Sequence, residues 1–331
     1  MFSTLIRSIK KATPVRVAFF LLTTAMLSGC FGDDKQYAFI TNQLANNVSV
    51  IDTESGKVIK QIEVGESPAG IAVSAQAQRA FVSNPDSQTV SVIDLTSLEE
   101  IRQIKTGPGP VGIVTDKAGQ RVFVADWYDN NISIIDTASG KVSQRITVGQ
   151  SPAGLVLDES RQRLYVANRD DNAVAFIDLE SQQVVRRVDT GKAPFGLAIT
   201  PDGKYVYSVN VQSSDVTVID TETAEVVTTI PVGEWPYCAV VSPDGKKLYV
   251  TNQDDSSLSV IDVASHQLTN TIDVEDTPEG VDTTRDGRLI YVANWGNGTV
   301  SVIDAATEKT LNVIKTAKGS RAFGNFISEL D

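Results

Sequence analysis

The chain has 331 residues, carries 41 acidic against 29 basic side chains for a formal net charge of −12, and contains one histidine and two cysteines. Nucleic-acid binders need a basic footprint to displace counterions from phosphates, and an acidic surface repels such polymers, so DNA and RNA are excluded as partners. So small a stock of Cys and His supplies no C-x-x-C-H for covalent haem and no Cys/His cluster for zinc.

In chain order, Arg7, Lys10, Lys11 and Arg16 precede an apolar run at 17–27 that is too short to span a bilayer as a mature helix. The run ends in Leu27-Ser28-Gly29-Cys30, which matches the bacterial lipobox, where the signal is cut before an acylated Cys. Residues 1–29 are read as a lipoprotein signal peptide, Cys30 as the lipidation site and 30–36 as the lipidated Cys with a short linker. Phe31 follows the Cys where an Asp would signal inner-membrane retention, so the periplasmic side of an outer membrane is the expected address. Removing 1–29 discards four positive charges and no negative ones, which takes the net charge to −16. Only Cys238 then remains beside Cys30, and no intramolecular disulfide can form.

From Tyr37 onward the chain repeats every 42 residues. Asn closes one apolar segment at Asn42, Asn84, Asn168, Asn210, Asn252 and Asn294, with Asp126 in the remaining slot. Asp closes the next at Asp52, Asp94, Asp136, Asp178, Asp220, Asp262 and Asp304. A repeat of about 40 to 45 residues suits a four-stranded propeller blade. In the copy after Pro68 the segments are 70–74, 79–84, 90–94 and 99–106, here called strands A to D. A, B and C are nearly continuous in apolar residues, as for strands covered on both faces, whereas D alternates like an outer edge strand. A G-x-x-P word joins D to the next A, at Gly65/Pro68 through Gly233/Pro236, with Glu275/Pro278 a variant. Its last copy, Gly319-Ser320-Arg321-Ala322, stands two residues late and predicts a longer final loop.

The chain enters at a B strand and leaves at an A strand, 324–328. The prediction is an all-β, seven-bladed β-propeller of four-stranded antiparallel blades, a single domain over 37–331, closed by one C-terminal strand joining three N-terminal ones. The segments YAFITN, AFVSN, VFVAD, LYVAN, VYSVN, YVTN and IYVAN, with SVID and G-x-x-P in phase, resemble the YVTN-type seven-bladed β-propeller repeat family over the whole mature chain. The resemblance implies a bacterial or archaeal envelope protein; it implies little chemistry, since such propellers serve as enzymes, carriers and scaffolds.

Residues present in every blade serve what every blade needs, so the seven Asp from Asp52 to Asp304 are read as caps of their own C–D turns. His266 is read as a solvated surface imidazole and Cys238, in a slot held elsewhere by Gly, as a small buried hydrophobe. The pairs Asp170-Asp171 and Asp254-Asp255 are read as turn filler, with a divalent cation left open and no other cofactor, catalytic residue or metal ligand predicted. Functional residues should break the period. Strand alternation puts the B–C and D–A loops on one face, the top, which carries Trp127, Tyr128, Arg169 and Trp295 from B–C loops and Phe195, Trp235, Tyr237, Arg321 and Phe323 from D–A loops. Trp, Tyr and Arg are the residues of recognition hot spots. A plainer reading assigns Phe195, Tyr237 and Phe323 to one repeat position and has them plug the channel. The same loops hold thirteen acids against four bases, which favours a cationic or neutral ligand or a basic protein surface.

The function expected is that of a monomeric, non-catalytic binding or scaffolding module, lipid-anchored in the envelope, with a small ligand or envelope protein on its top face. The alternatives are a metal-assisted hydrolase or lactonase-like enzyme and an accessory protein of a periplasmic redox system.

Overall fold

A computed structural model of the protein describes residues 35–329; the segment read as a signal peptide, Cys30 and the expected linker through Asp34 lie outside the described residues. Seven four-stranded antiparallel sheets are present, as the period predicts. Blade one has strands Ile71–Ser74, Arg79–Asn84, Thr89–Asp94 and Glu99–Lys105. Blades two to six follow in chain order, and blade seven joins Ile327–Glu329 to Gln36–Asn42, Asn47–Asp52 and Lys57–Glu63.

The core lies between blades. Strand B places Phe39, Phe81, Phe123, Tyr165, Tyr207, Tyr249 and Tyr291 at one repeat position, each at most 2% exposed. Burying such a side chain stabilises by about 1.5–3 kcal/mol, so this ring alone is a large part of the driving force. Strand D is wet on its outer side and keeps one buried anchor per blade: Ile62, Ile104, Ile146, Val188, Ile230, Ile272 and Ile314.

All seven turn-closing Asp residues accept the N–H of the residue three places on, as with Asp136 Oδ1 and Ser139 at 2.7 Å. Hydrogen bonds from Ser139 hold the Asp136 carboxyl below its usual range. His266 corrects the solvated-surface reading: it is half-buried and edge-on to Tyr205, with ring centroids 5.0 Å apart.

At the other end of strand B the buried Asn staples the B–C turn. Asn252 Nδ2 donates to Ser257 Oγ and Ser259 Oγ, both at 2.9 Å, and Asn42, Asn84, Asn210 and Asn294 act alike. Blade three breaks the pattern. Ala173 and Ala175 replace the acceptors, and both polar atoms of buried Asn168 lack a partner among the described residues. Ala175→Ser should therefore raise stability by about 1 kcal/mol. An unchanged urea midpoint would argue against this account of the Asn ring.

The C-terminal closure differs from expectation. Ser320 bridges Asn42 just as Pro278 pairs with Asn294, so the final D–A loop is not longer; Ser takes the Pro place in phase. The Ala322 N–H donates to Thr41 Oγ1 at 2.8 Å, as the Cys238 N–H does to Thr251 Oγ1 at 3.0 Å, so Ala322 rather than Gly324 fills the repeat's Gly slot. The extra residues follow. Phe326 C=O accepts the Phe39 N–H at 2.8 Å, and three residues, Phe323, Gly324 and Asn325, stand between Ala322 and Phe326 where other blades have one. The regular strand shrinks accordingly from the predicted 324–328 to Ile327–Glu329.

Candidate functional site

The B–C and D–A loops share one face, bonded to each other by contacts such as Trp127 N–H to Gly109 C=O at 3.0 Å and Gln253 N–H to Trp235 C=O at 3.0 Å. Strand Gln36–Asn42 starts at the opposite face, where Tyr37 pairs with the turn-capping Asp52. The chain therefore enters the propeller from the bottom, away from Trp127.

Two rings of repeat positions line the top mouth. The inner ring comprises Ala69, Val111, Ala153, Phe195, Tyr237, Glu279 and Arg321. Its equivalence is set by the backbone: Thr41 Oγ1 donates to Ala69 C=O at 2.8 Å, Ser83 Oγ to Val111 C=O at 2.6 Å and Thr251 Oγ1 to Glu279 C=O at 2.8 Å. These carbonyls crowd the neighbouring inner strand so closely that a Cβ at Gly112 would lie 1.9 Å from Ala153 O. Phe323 does not belong to this ring, contrary to the sequence reading; Arg321 holds that place and Phe323 comes from the extra residues. The second ring is Gln43, Pro85, Trp127, Arg169, Val211, Gln253 and Trp295.

Five of the nine candidates come together in one plug. Phe195 stacks on Tyr237 with centroids 4.2 Å apart, Phe323 meets both at 5.4 Å, and Trp127 reaches Phe195 at 6.2 Å. Arg321 lies 4.6 Å from the Phe323 ring centre. Arg169, a sixth, sits 5.8 Å from the Trp127 ring. Phe195, Tyr237 and Phe323 thus pack on one another across the mouth. Below it the upper chamber measures about 60 Å³ and borders Cys238, whose thiol is pushed up by burial, which disfavours the thiolate.

The sequence reading names Arg321 and Tyr237 but does not join them to Glu279 and Gln253. Arg321 Nε donates to Glu279 Oε2 at 2.6 Å, its Nη2 donates to Tyr237 OH at 3.2 Å, and Gln253 Nε2 donates to Glu279 Oε1 at 3.0 Å. Burial pushes the Glu279 carboxyl up against the pull of Arg321, while desolvation, the largest influence on Arg321, is outweighed only by the charge and hydrogen bond of Glu279 acting together with Tyr237 and Cys238, and the guanidinium is raised. The signal was present: Glu279 is one period before Arg321.

The other three candidates lie apart from the plug. Trp295 donates its indole N–H to Gln43 Oε1 at 2.9 Å and seals the seam between blades six and seven. Tyr128 and Trp235 face outward, 74% and 41% exposed. Trp235 is held at φ +53°, in a slot with positive φ in every blade where the other six carry Ser, Gly, Ser, Ala, Thr and Gly. A bulky side chain is costly there, and such strain concentrates at functional positions.

Much of the acidity on this face is structural. Asp171 Oδ2 accepts the Gln150 N–H at 2.9 Å, Asp255 Oδ2 the Glu234 N–H at 2.6 Å, and Asp170 Oδ2 the Ser151 hydroxyl at 2.6 Å. Asp170 and Asp171 thus serve as turn glue, and no group of three or more His, Cys, Asp or Glu is placed to hold a metal ion among the described residues.

With fold and mouth defined, comparison with known proteins gives the class. The sequence profile of the YNCE-like beta-propeller family matches residues 72–163, 159–232 and 219–286, well over half of the chain, and the protein belongs to that family. No curated protein matches it in sequence. Among solved structures it is similar to Kuenenia stuttgartiensis hydrazine synthase, with TM-score 0.70 and 19% identity over 76% of this chain and 87% of that one. It is also similar to a functionally unknown protein from Desulfotomaculum acetoxidans DSM 771, with TM-score 0.77 and 14% identity over 89% of this chain and 99% of the other. At these identities the likeness is one of fold.

Proposed function

We propose that this YNCE-like propeller is a non-catalytic envelope scaffold, tethered through lipid on Cys30 to the periplasmic side of the outer membrane, that recognises a protein partner on its top face. The observation that carries the reading is the contrast at the mouth. Phe195, Tyr237, Phe323 and Trp127 pack across the channel over a chamber of about 60 Å³, room for only one or two waters, and the wider cavity of about 330 Å³ lies beyond it toward the bottom ends of the A strands, so a partner meeting the top face meets a plugged mouth. Tyr128 and the strained Trp235 remain outside the plug, where they are available to a surface. Loops on a rigid scaffold are the usual seat of recognition.

The tether fits the same geometry. The first strand starts on the bottom face, and a linker of about six residues reaches only about 20 Å, so the bottom would face the membrane and the top the periplasm. Cys30→Ser should release the protein from washed membranes; retention would contradict the anchor. Tyr128→Ser and Trp235→Ser should each leave folding intact and weaken capture of the partner by tenfold or more, the effect of losing a hot-spot aromatic. Unchanged capture by both variants would move the site elsewhere.

A further inference from the structure

Asp126 stands in the slot that Asn fills in the other six blades. Where the staple forms, that Asn donates two hydrogen bonds across the B–C turn, and an ionised Asp can donate none. The turn in blade two is rearranged accordingly. Ser133 Oγ donates to Asp126 Oδ2, and the Gly107 N–H donates to Oδ1 at 3.2 Å. Asn131, placed where Asn47 or Thr89 faces its Asn, instead donates Nδ2 to Asp129 C=O at 2.8 Å and accepts the Thr147 hydroxyl at 2.9 Å. Asp126 itself is wholly buried, and the next two residues are Trp127, which packs on the plug, and Tyr128, which is exposed.

We infer that the B–C loop of blade two is a proton-responsive element, in which protonation of Asp126 restores the donor that Asn supplies elsewhere, redraws the turn toward Asn131 and so resets Trp127 and Tyr128 on the top face. The groups acting on the carboxyl come from each element around it. Strand C contributes Asn131 and Ser133, neither charged; strand D contributes Arg145; the loop contributes Asp129; and the D–A loop at 106–109 has no ionisable side chain. Burial raises the carboxyl to about 6, Ser133, Arg145 and Gly107 oppose the rise, and Asp129 adds to it. The loop would thus change state between mildly acidic and neutral surroundings.

The inference gives the proposed top-face contact a pH dependence, yet its test needs no partner. With Trp235 and Trp295 replaced by Phe, Trp127 is the one remaining Trp, and its emission maximum is followed from pH 8 to pH 4.5. The expected result is a single-proton transition with a midpoint of about 6. Asp126→Asn, which installs the residue of the six sibling blades, should abolish it. Arg145→Gln should move the midpoint upward, and Glu279→Gln, which removes the other buried carboxyl of the plug, should leave the transition in place. A transition that survives Asp126→Asn, is missing from the parent, ignores Arg145→Gln or vanishes with Glu279→Gln overturns the inference. Failure here leaves the recognition reading untouched, and an unchanged capture by the Tyr128 and Trp235 variants leaves the switch untouched.

Discussion

Replacing Arg321 with Ala is expected to cost about 3–5 kcal/mol, because it strips the partner from a buried carboxylate. Glu279 is 4% exposed and receives two hydrogen bonds from Arg321, at 2.6 and 3.4 Å, with Gln253 as the one further donor among the described residues. Without Arg321 the carboxylate must take up a proton or open the plug, so the loss should be larger at pH 8 than at pH 5. The double variant Glu279→Leu with Arg321→Met removes both charges and fills the space with apolar atoms. It should recover most of the loss, since an apolar replacement of a buried pair is often neutral. Urea midpoints for the three proteins decide the matter: a single variant within about 1 kcal/mol of wild type would mean that the pair is hydrated, since exposed pairs contribute that little.

The second large effect concerns the closure. Asp282 is buried at the edge of the channel; its Oδ2 accepts the N–H groups of Phe326 and Ile327 at 2.8 and 2.9 Å, and its Oδ1 accepts that of Thr283 at 2.8 Å. The C-terminal strand that completes blade seven has only three residues, so this carboxylate caps the point where the regular pairing begins. Asp282→Ala leaves buried donors unpaired at about 1–3 kcal/mol each, and a total loss of about 3 kcal/mol is expected. Hydrogen exchange should accelerate first at Phe39, Phe326 and Ile327, on the seam, and a uniform acceleration over all blades would contradict the clasp. The pH dependence has a definite sign. Burial raises the carboxyl to about 6 although Ile327, Thr283 and Phe326 N–H groups pull it down, so the folded value lies above the unfolded one. Its contribution to stability is therefore fully present below about pH 4 and is lost as pH rises through about 6, and the Ala variant should lack that slope.

The repeat made most of the fold legible. Recurrent Asn and Asp at a fixed spacing located the ends of strands B and C in each blade, since those positions serve local geometry that every blade shares. The seam was harder to read because Gly319 imitates the Gly of the G-x-x-P word two residues late, while Ser320 does the work of Pro in phase. That slip misplaced Phe323 into the inner ring and hid the succession of Glu279 and Arg321, so the ion pair at the mouth went unseen. In sequence Asp126 reads only as a substitute for Asn, because burial, which sequence does not display at one position, is what raises its carboxyl to about 6. Likewise the sequence shows the Trp235 side chain but not that it occupies a left-handed slot, which is knowable only from the backbone.

Photo-crosslinking tests recognition on the top face most directly. A benzophenone side chain is placed in turn at Tyr128 and Trp235 on the top and at Lys246 and Glu180 in turns of the bottom face, in the full-length protein in intact cells. The account predicts one discrete protein adduct shared by the two top positions and none from the bottom pair. Adducts from the bottom positions with none from Tyr128 or Trp235 would contradict it.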